Sequence, residues 1–409
     1  MNRIARSDRE SGQVAIISVM FFMILFSVVT VSFVQAVVSE QRQTTNNELS
    51  ASALSAAEAG VEDAKRVIGY CMANPSASGC ASIYNPTTTD CTAIINSALP
   101  AALSITTATD EAGAKQAVVD ATNKQYYTCM IINYLTATYE NTATADGKSI
   151  IVPLKLSTYN TSTGTSTAAT SAAYFTVKWH SNSTSGNGTM TGTNTATNLP
   201  TSPVWKAIGN FPAVLRVELI TVPSSGTFTL DTITNSARAV TLRPVTSSTS
   251  GGSSIATVRT GYNAYNMNYW AQNTEPNGST VNPIMYVNCS STNAYACSLD
   301  FTLNNTTPGS LSLSSNNYYL RIQAIYNDAD IQVSAVGPSG ETLYLNGVQP
   351  SIDVTGRAID AYRRLSSRVE ARSSNDDYSW WPEYALQSGN AICKNMTVDS
   401  DTGTDNCTY

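Results

Sequence analysis

The sequence predicts an α+β protein: a long N-terminal helix, membrane-spanning in its lower half, joined to a large, disulfide-bearing, antiparallel β-rich head. Three observations carry this. Residues 14–38 are one apolar stretch without a charged side chain. The chain then runs to Ile68 with no proline and a single glycine, Gly60. From about residue 150 onward, short β-branched and aromatic runs alternate with Gly, Asn and Ser, which is the pattern of strands and turns.

A bilayer-spanning helix needs about 20 apolar residues, and residues 14–38 supply them. Arg3, Arg6 and Arg9 precede the stretch and hold the short N-terminal tip in the cytoplasm. Everything beyond residue 38 then lies outside the membrane. A cleaved signal peptide is disfavoured, because its apolar core runs about 7–15 residues and ends at a small-residue site. Phe33-Val34-Gln35-Ala36 is a poor version of that site.

Above the membrane, Leu49, Ala53, Ala56, Gly60, Ala64 and Val67 recur at three- and four-residue steps, so they share one helical face. Glu62 and Arg66 are spaced for an i,i+4 pair on another face. Helix over residues 13–68 makes a rod of about 80 Å. The stripe of small residues lets another backbone approach closely. Docking on the protein's own sheet is its expected use, since amphipathic helices bury such stripes.

The head begins as a helix/loop region over residues 69–149. Pro75, Gly79 and Pro86 mark loop over 69–91, and helices are expected at 92–99 and 110–127. The β-rich part covers 150–409, with strands expected at 174–179, 213–222, 237–245, 283–288, 297–303, 318–326 and 331–336. Leu215, Val217 and Leu219 alternate cleanly with Arg216 and Glu218. Such strands suit an antiparallel sandwich or a large meander. Residues 158–170 and 181–202, rich in Ser, Thr, Asn and Gly, read as long surface loops. Residues 246–254 read either as a linker dividing the head or as a hairpin loop.

The 409 residues suffice for two or three domains. At 42% hydrophobic the chain can build real cores, while 13% charged is about half the usual share. A net charge of −6 excludes the basic face that nucleic-acid binding needs. Eight cysteines, all beyond the membrane stretch, point to disulfides in an exported chain. Sequence neighbours couple as Cys71 with Cys80, Cys91 with Cys129, Cys289 with Cys297 and Cys393 with Cys407, although spacing alone leaves connectivity open. Zinc is discounted, because no Cys-x-x-Cys occurs and there is one histidine.

The junction Ser11-Gly12-Gln13-Val14-Ala15-Ile16-Ile17 resembles that of a type IV pilin precursor, in which a short basic leader ends in Gly before an apolar helix. Ser55-Ala56-Ala57-Glu58-Ala59-Gly60-Val61-Glu62-Asp63-Ala64 is similar to the A-A-E-A-G/A-x-x-D-A segment of the PilX-type minor pilin N-terminal region. The match covers about residues 11–68. It implies that a prepilin peptidase removes residues 1–12 by cutting after Gly12, leaving Gln13 as the mature N-terminus. It also implies that the freed helix packs with other pilin subunits in a filament core. Most major pilins carry Glu five residues into the mature chain, where it meets a neighbouring subunit's N-terminal amine. Here that position is Ile17, which PilX-type minor pilins and, more distantly, type II secretion tip pseudopilins resemble. A buried carboxylate is costly unless paired, so a subunit lacking it reads as minor or tip-located rather than as the repeating shaft.

Candidate chemistry is sparse. The sole histidine, His180, ends a strand, and no Gly-x-Ser-x-Gly, phosphate-binding or dinucleotide-binding glycine motif occurs, so no enzyme is expected. Asp399, Asp401 and Asp405 alternate around Gly403, an arrangement that suits Ca²⁺. The distal Glu of an EF-hand is missing, so a plain solvated loop competes with that reading. Asn327-Asp328-Ala329-Asp330 reads as a turn. Residues 356–369, with Arg357, Arg363, Arg364 and Arg368, read as a strand pair or a helix. Trp380, Trp381 and Tyr384 either cap the core or present a surface for a host or glycan ligand. Two functions fit: a minor pilin-like structural subunit that initiates or caps a filament and displays an adhesive head, or a single-pass surface adhesin or binding module that never enters one.

Overall fold

The computed structural model describes residues 10–145, 147–181, 203, 205, 211–224, 237–245, 249–250, 253–254, 258–259, 265–266, 284–290, 293–302 and 311–370. The expectations for the leader arginines, the 182–202 loop, the Asp399–Asp401–Asp405 calcium loop, Cys393, Cys407 and the Trp380–Trp381–Tyr384 cluster lie outside them. The chain forms two compact units: one of residues 1–137, 157–168 and 344–371, the other of 138–156, 169–343 and 372–409.

The first unit is a helix seated on a sheet. The helix runs Glu10–Ala73, 64 residues, or about 96 Å. Its stop is encoded locally: both the amide and the side chain of Asn74 donate to the Tyr70 carbonyl, and Pro75 follows. The helix outlasts the expected end at Ile68, because Gly69 meets open space and Cys71 lies within the last turns, bonded to Cys80 across a Cα separation of 5.5 Å. A short 3₁₀ turn, Cys80–Tyr84, and two brief helices, Ala93–Asn96 and Leu99–Ala102, follow.

The sheet of this unit is ordered Thr107–Thr109, Lys115–Asp120, Gln125–Thr136, the residues from Tyr344 onward of Thr342–Ala358, and Ala361–Arg368. Residues 110–127, expected as a helix, instead contribute strand Lys115–Asp120 and the start of Gln125–Thr136. The β-branched Val118 and Val119 and the paired tyrosines favour a pleated surface over a helix. Leu156–Asn160 and Thr165–Ala168, expected as a loop, form a hairpin turning at Gly164 (φ 67°), where threonines pair across the strands. Residues 356–369 settle as strand: Thr342–Ala358 and Ala361–Arg368 pair from Ala358↔Ala361 to Ser351↔Arg368.

The second unit holds two further sets of strands. One is ordered Val258–Arg259, Ile284–Asn288, Arg238–Val245, Val214–Pro223, Asn316–Ile325 and Ser149–Pro153. The other runs through Ala329–Val336, Tyr174–Ser181 and Cys297–Thr302, with Tyr139–Ala143 on the free side of Ala329–Val336. Most ladders are antiparallel, as expected; Ile284–Asn288 with both Arg238–Val245 and Val258–Arg259, and Tyr265–Asn266 with Cys297–Thr302, are parallel. Alternation sends Leu215, Val217, Leu219, Leu320 and Ile322 from the first set, and Phe175, Val177, Trp179, Ile331 and Val333 from the second, to full burial. Phe175 and Phe301, cross-strand partners, stack at 5.1 Å. The Trp179 indole donates to the Ala213 carbonyl at 3.0 Å, so this buried side chain leaves no polar atom stranded. Cys289–Cys297 closes an eight-residue step between two strands. Within the 246–254 stretch Thr249–Ser250 pairs antiparallel with Ser253–Ser254.

Candidate functional site: an exposed apolar helix on a rigid seat

The long helix divides into three zones by environment. From Ile16 to Val38 its large apolar side chains are exposed, Phe33 at 69% and Ile17 at 63%, with Val37 alone half-buried. The zone is long and apolar enough to cross a membrane. Three of its four hydroxyls bond back to the helix: Ser27 donates to the Ile24 carbonyl, Thr30 to Phe26 and Ser32 to Val28, at 2.7–2.9 Å. Such back-bonding removes the demand for water that would penalise a polar side chain among apolar ones. Serines and threonines inside an apolar helix are the sequence signal of such back-bonding, which periodicity alone does not carry. The junction residues Gly12 and Gln13 already lie within the helix.

Residues 39–48 form an exposed polar neck, about 15 Å long at the helical rise. Above it the small-residue stripe is buried as expected, on the helix's own sheet: Ala53, Ala56, Ala64 and Val67 show no exposed surface. Two glycines allow this approach. A Cβ on Gly356 would run into the Ala53 carbonyl and the Ala57 amide, so here helix backbone lies directly on strand backbone. A Cβ on Gly60 would meet Val354 Cγ1 at 2.6 Å and the Tyr127 ring at 3.1 Å. Gly356 was not singled out from sequence; a glycine among strand residues is the signal for such an approach.

Polar contacts pin the seat. Gln125 Nε2 donates to Ser52 Oγ at 2.6 Å, and Arg363 Nε to Ser50 Oγ. The Tyr127 hydroxyl donates to Asp63 at 3.1 Å, and Arg66 holds the other Asp63 oxygen at 2.8 Å. Burial, then Asp63, pushes the Tyr127 phenol well above its ordinary value of 10.0. A bulge makes Tyr127 available: Tyr127 pairs with Gly356 but Cys129 with Thr355, so Tyr127 and Met130 both reach the core. The expected Glu62–Arg66 pair does not form. Glu62 bonds Lys65, and Arg66 takes Asp63, both at i,i+3. Arg66 is drawn that way because its second nitrogen also donates to the Leu103 carbonyl.

Of the cysteine couples, Cys71–Cys80 and Cys289–Cys297 are bonded, whereas Cys91 and Cys129 stand as two thiols. His180 closes its strand: Nδ1 lies 2.9 Å from the Ser181 carbonyl, Nε2 lies 4.0 Å from Asp330, and the ring packs on Tyr295. Of the turn expected over 327–330, Asn327 and Asp328 lie in the connection between two strands, Asn327 donating to the Phe211 carbonyl and Asp328 accepting from the Ala145 amide, whereas Ala329 and Asp330 already open the strand Ala329–Val336. Among the described residues no cluster of three His, Cys, Asp or Glu could hold a metal. An uncharged groove of about 410 Å³ in the first unit is lined by Met72, Pro75, Tyr84, Tyr134, Ser166 and Asn346.

Compared with known proteins, the chain matches no family model, no curated protein and no solved structure.

Proposed function

We propose that the chain is a structural subunit, a minor pilin-like protein. Its exposed apolar helix is stored in the bilayer and used in a filament core, where it helps to initiate or cap the filament. The observation that carries this reading is the division of one unbroken helix into an uncovered apolar lower half and an upper half locked onto the sheet through Gly60 and Gly356. A simple anchor needs only the lower half. A rigid seat adds something an anchor does not need: it transmits the helix direction to the head, so packing below sets the position of the head above. Removing residues 1–12 takes away the charged tip that keeps the helix in the membrane, and the internally bonded hydroxyls suit a dry helix bundle as well as they suit lipid.

On this reading the partners are other pilin subunits, through the apolar helix, and a prepilin peptidase acting at Gly12–Gln13. Ile17 offers no carboxylate to a neighbour's amine, which favours a tip or minor position over the shaft. The head would face the cell exterior and present its surface to a host or glycan ligand. The competing reading is a single-pass anchored adhesin. Mass spectrometry of the native N-terminus separates them: a chain beginning at Gln13 is expected, and retention of residues 1–12 rules the pilin-like reading out.

A further inference from the structure

Cys91 and Cys129 are separated by 37 intervening residues in sequence but meet in the first unit. Lys115–Asp120 stops pairing with Gln125–Thr136 at Tyr127, and beyond that point the Met130 amide donates to the Cys91 carbonyl at 2.8 Å. The two cysteines therefore lie side by side on one strand edge. The Cys129 thiol is within hydrogen-bonding reach of the Cys91 thiol and the Thr355 hydroxyl. Both residues are half-buried. Asp353 and Arg364, ion-paired to each other, flank them. Elsewhere in the same chain two cysteine pairs are oxidised, so these thiols share their compartment with disulfide-forming chemistry.

We propose that Cys91 and Cys129 are an exchangeable dithiol. It closes to a third disulfide by reaction with an extracytoplasmic dithiol oxidant, tying the segment before Ala93–Asn96 to the strand beneath the long helix. The inference stands apart from the pilin-like reading and needs only an oxidising surrounding. Burial, then the neighbouring Cys91, pushes the Cys129 thiol up to about 12. One cysteine of the pair, as thiolate, adds to one sulfur of the oxidant's disulfide, that S–S bond breaks, and the second oxidant sulfur leaves as thiolate. The other cysteine then gives its proton to solvent and attacks the sulfur of the first, releasing the first oxidant sulfur. The pair loses two electrons and two protons, and the oxidant becomes a dithiol. Because the thiol form is itself packed and hydrogen-bonded, reopening this bridge leaves its surroundings in place. The four sulfurs of the other bridges belong to fully or nearly fully buried residues.

The test uses the full-length chain in detergent, equilibrated in glutathione buffers from oxidised to reduced, acid-quenched, labelled with N-ethylmaleimide and mapped by proteolysis without reduction. In oxidised buffer the peptides bearing Cys91 and Cys129 are expected to be linked, two hydrogens lighter than the thiols. That link should open at a glutathione ratio at least about tenfold less reducing than the one that opens Cys71–Cys80 or Cys289–Cys297. In Cys129→Ser and in Cys91→Ser the remaining cysteine has lost the thiol that would displace glutathione, so it should carry glutathione in oxidised buffer. Maleimide on both cysteines in every oxidised buffer, a link from either to another cysteine, or opening in step with the other two bridges would overturn the proposal. So would the absence of glutathione from the remaining cysteine in both serine variants.

Discussion

Replacing Gly356 with alanine adds one methyl group at the place where strand and helix backbones touch. The new Cβ would collide with the Ala53 carbonyl oxygen and the Ala57 amide nitrogen. Neither atom can rotate away, since both are held in the helix, so the helix must lift off the sheet and loosen Ala53, Ala56 and Ala57 together. Overpacking typically costs about 1–3 kcal/mol, and a backbone-on-backbone collision belongs at the upper end, about 3 kcal/mol. Gly60→Ala is the informative comparison. Its Cβ meets Val354 Cγ1 and the Tyr127 ring, side chains that can shift, and the helix gains about 1 kcal/mol from alanine's better propensity. Its net cost is therefore about 0–2 kcal/mol. For a unit of this size 1 kcal/mol moves Tm by about 2–4 °C, so Gly356→Ala is expected to lower the unfolding temperature by about 6–12 °C. Circular dichroism on the detergent-solubilised chain reads the shift, and hydrogen exchange over residues 50–64 reports whether the helix has lifted. The reasoning fails if Gly356→Ala costs no more than Gly60→Ala, or if exchange over that stretch is unchanged.

Other outcomes follow from single contacts. Ile359 sits at φ 53° in the turn between Thr342–Ala358 and Ala361–Arg368; a left-handed conformation costs an L-residue about 1–2 kcal/mol. Ile359→Gly should therefore raise Tm by a few degrees, and a fall would show that Ile359 has a packing role. The Tyr127 phenol is raised above 10.0 in the folded chain, so its contribution is complete below that pH. As pH climbs past about 10 the unfolded chain releases this proton and the folded chain keeps it, so stability falls. Tyr127→Phe should flatten this alkaline loss in a pH series of melts, and an unchanged slope would refute the assignment. Cys71→Ser opens a nine-residue closure at the end of the helix and should cost about 2–3 kcal/mol. Faster amide exchange should then be confined first to residues 68–73; uniform exchange would argue against a local role.

The long helix and most strands were legible because each carries one dominant period. Residues 14–38 have no polar face to hide, Leu215, Val217 and Leu219 alternate strictly, and the Ala–Gly stripe marks a close seat. What failed was context. Residues 110–127 lack a strong apolar period, and their fate was decided by pairing with Gln125–Thr136 and by the bulge between Tyr127 and Cys129. The 158–170 stretch looked like loop by composition, yet cross-strand threonines and Gly164 make it a hairpin. Arg66 left its expected partner Glu62 because a backbone carbonyl from residue 103 stood nearby, which no local spacing announces. The couple Cys91 and Cys129, a disulfide candidate by sequence, is held as two thiols.

A photoreactive residue placed at Ile24, midway along the uncovered span, distinguishes a filament-core helix from a permanent anchor. Filaments are sheared from cells, freed of membrane and irradiated, and the adducts are identified by mass spectrometry. Adducts to the N-terminal helices of other subunits, on chains beginning at Gln13, are expected in the sheared fraction. A chain found only in the membrane fraction, linked only to lipid, would contradict the assembly role.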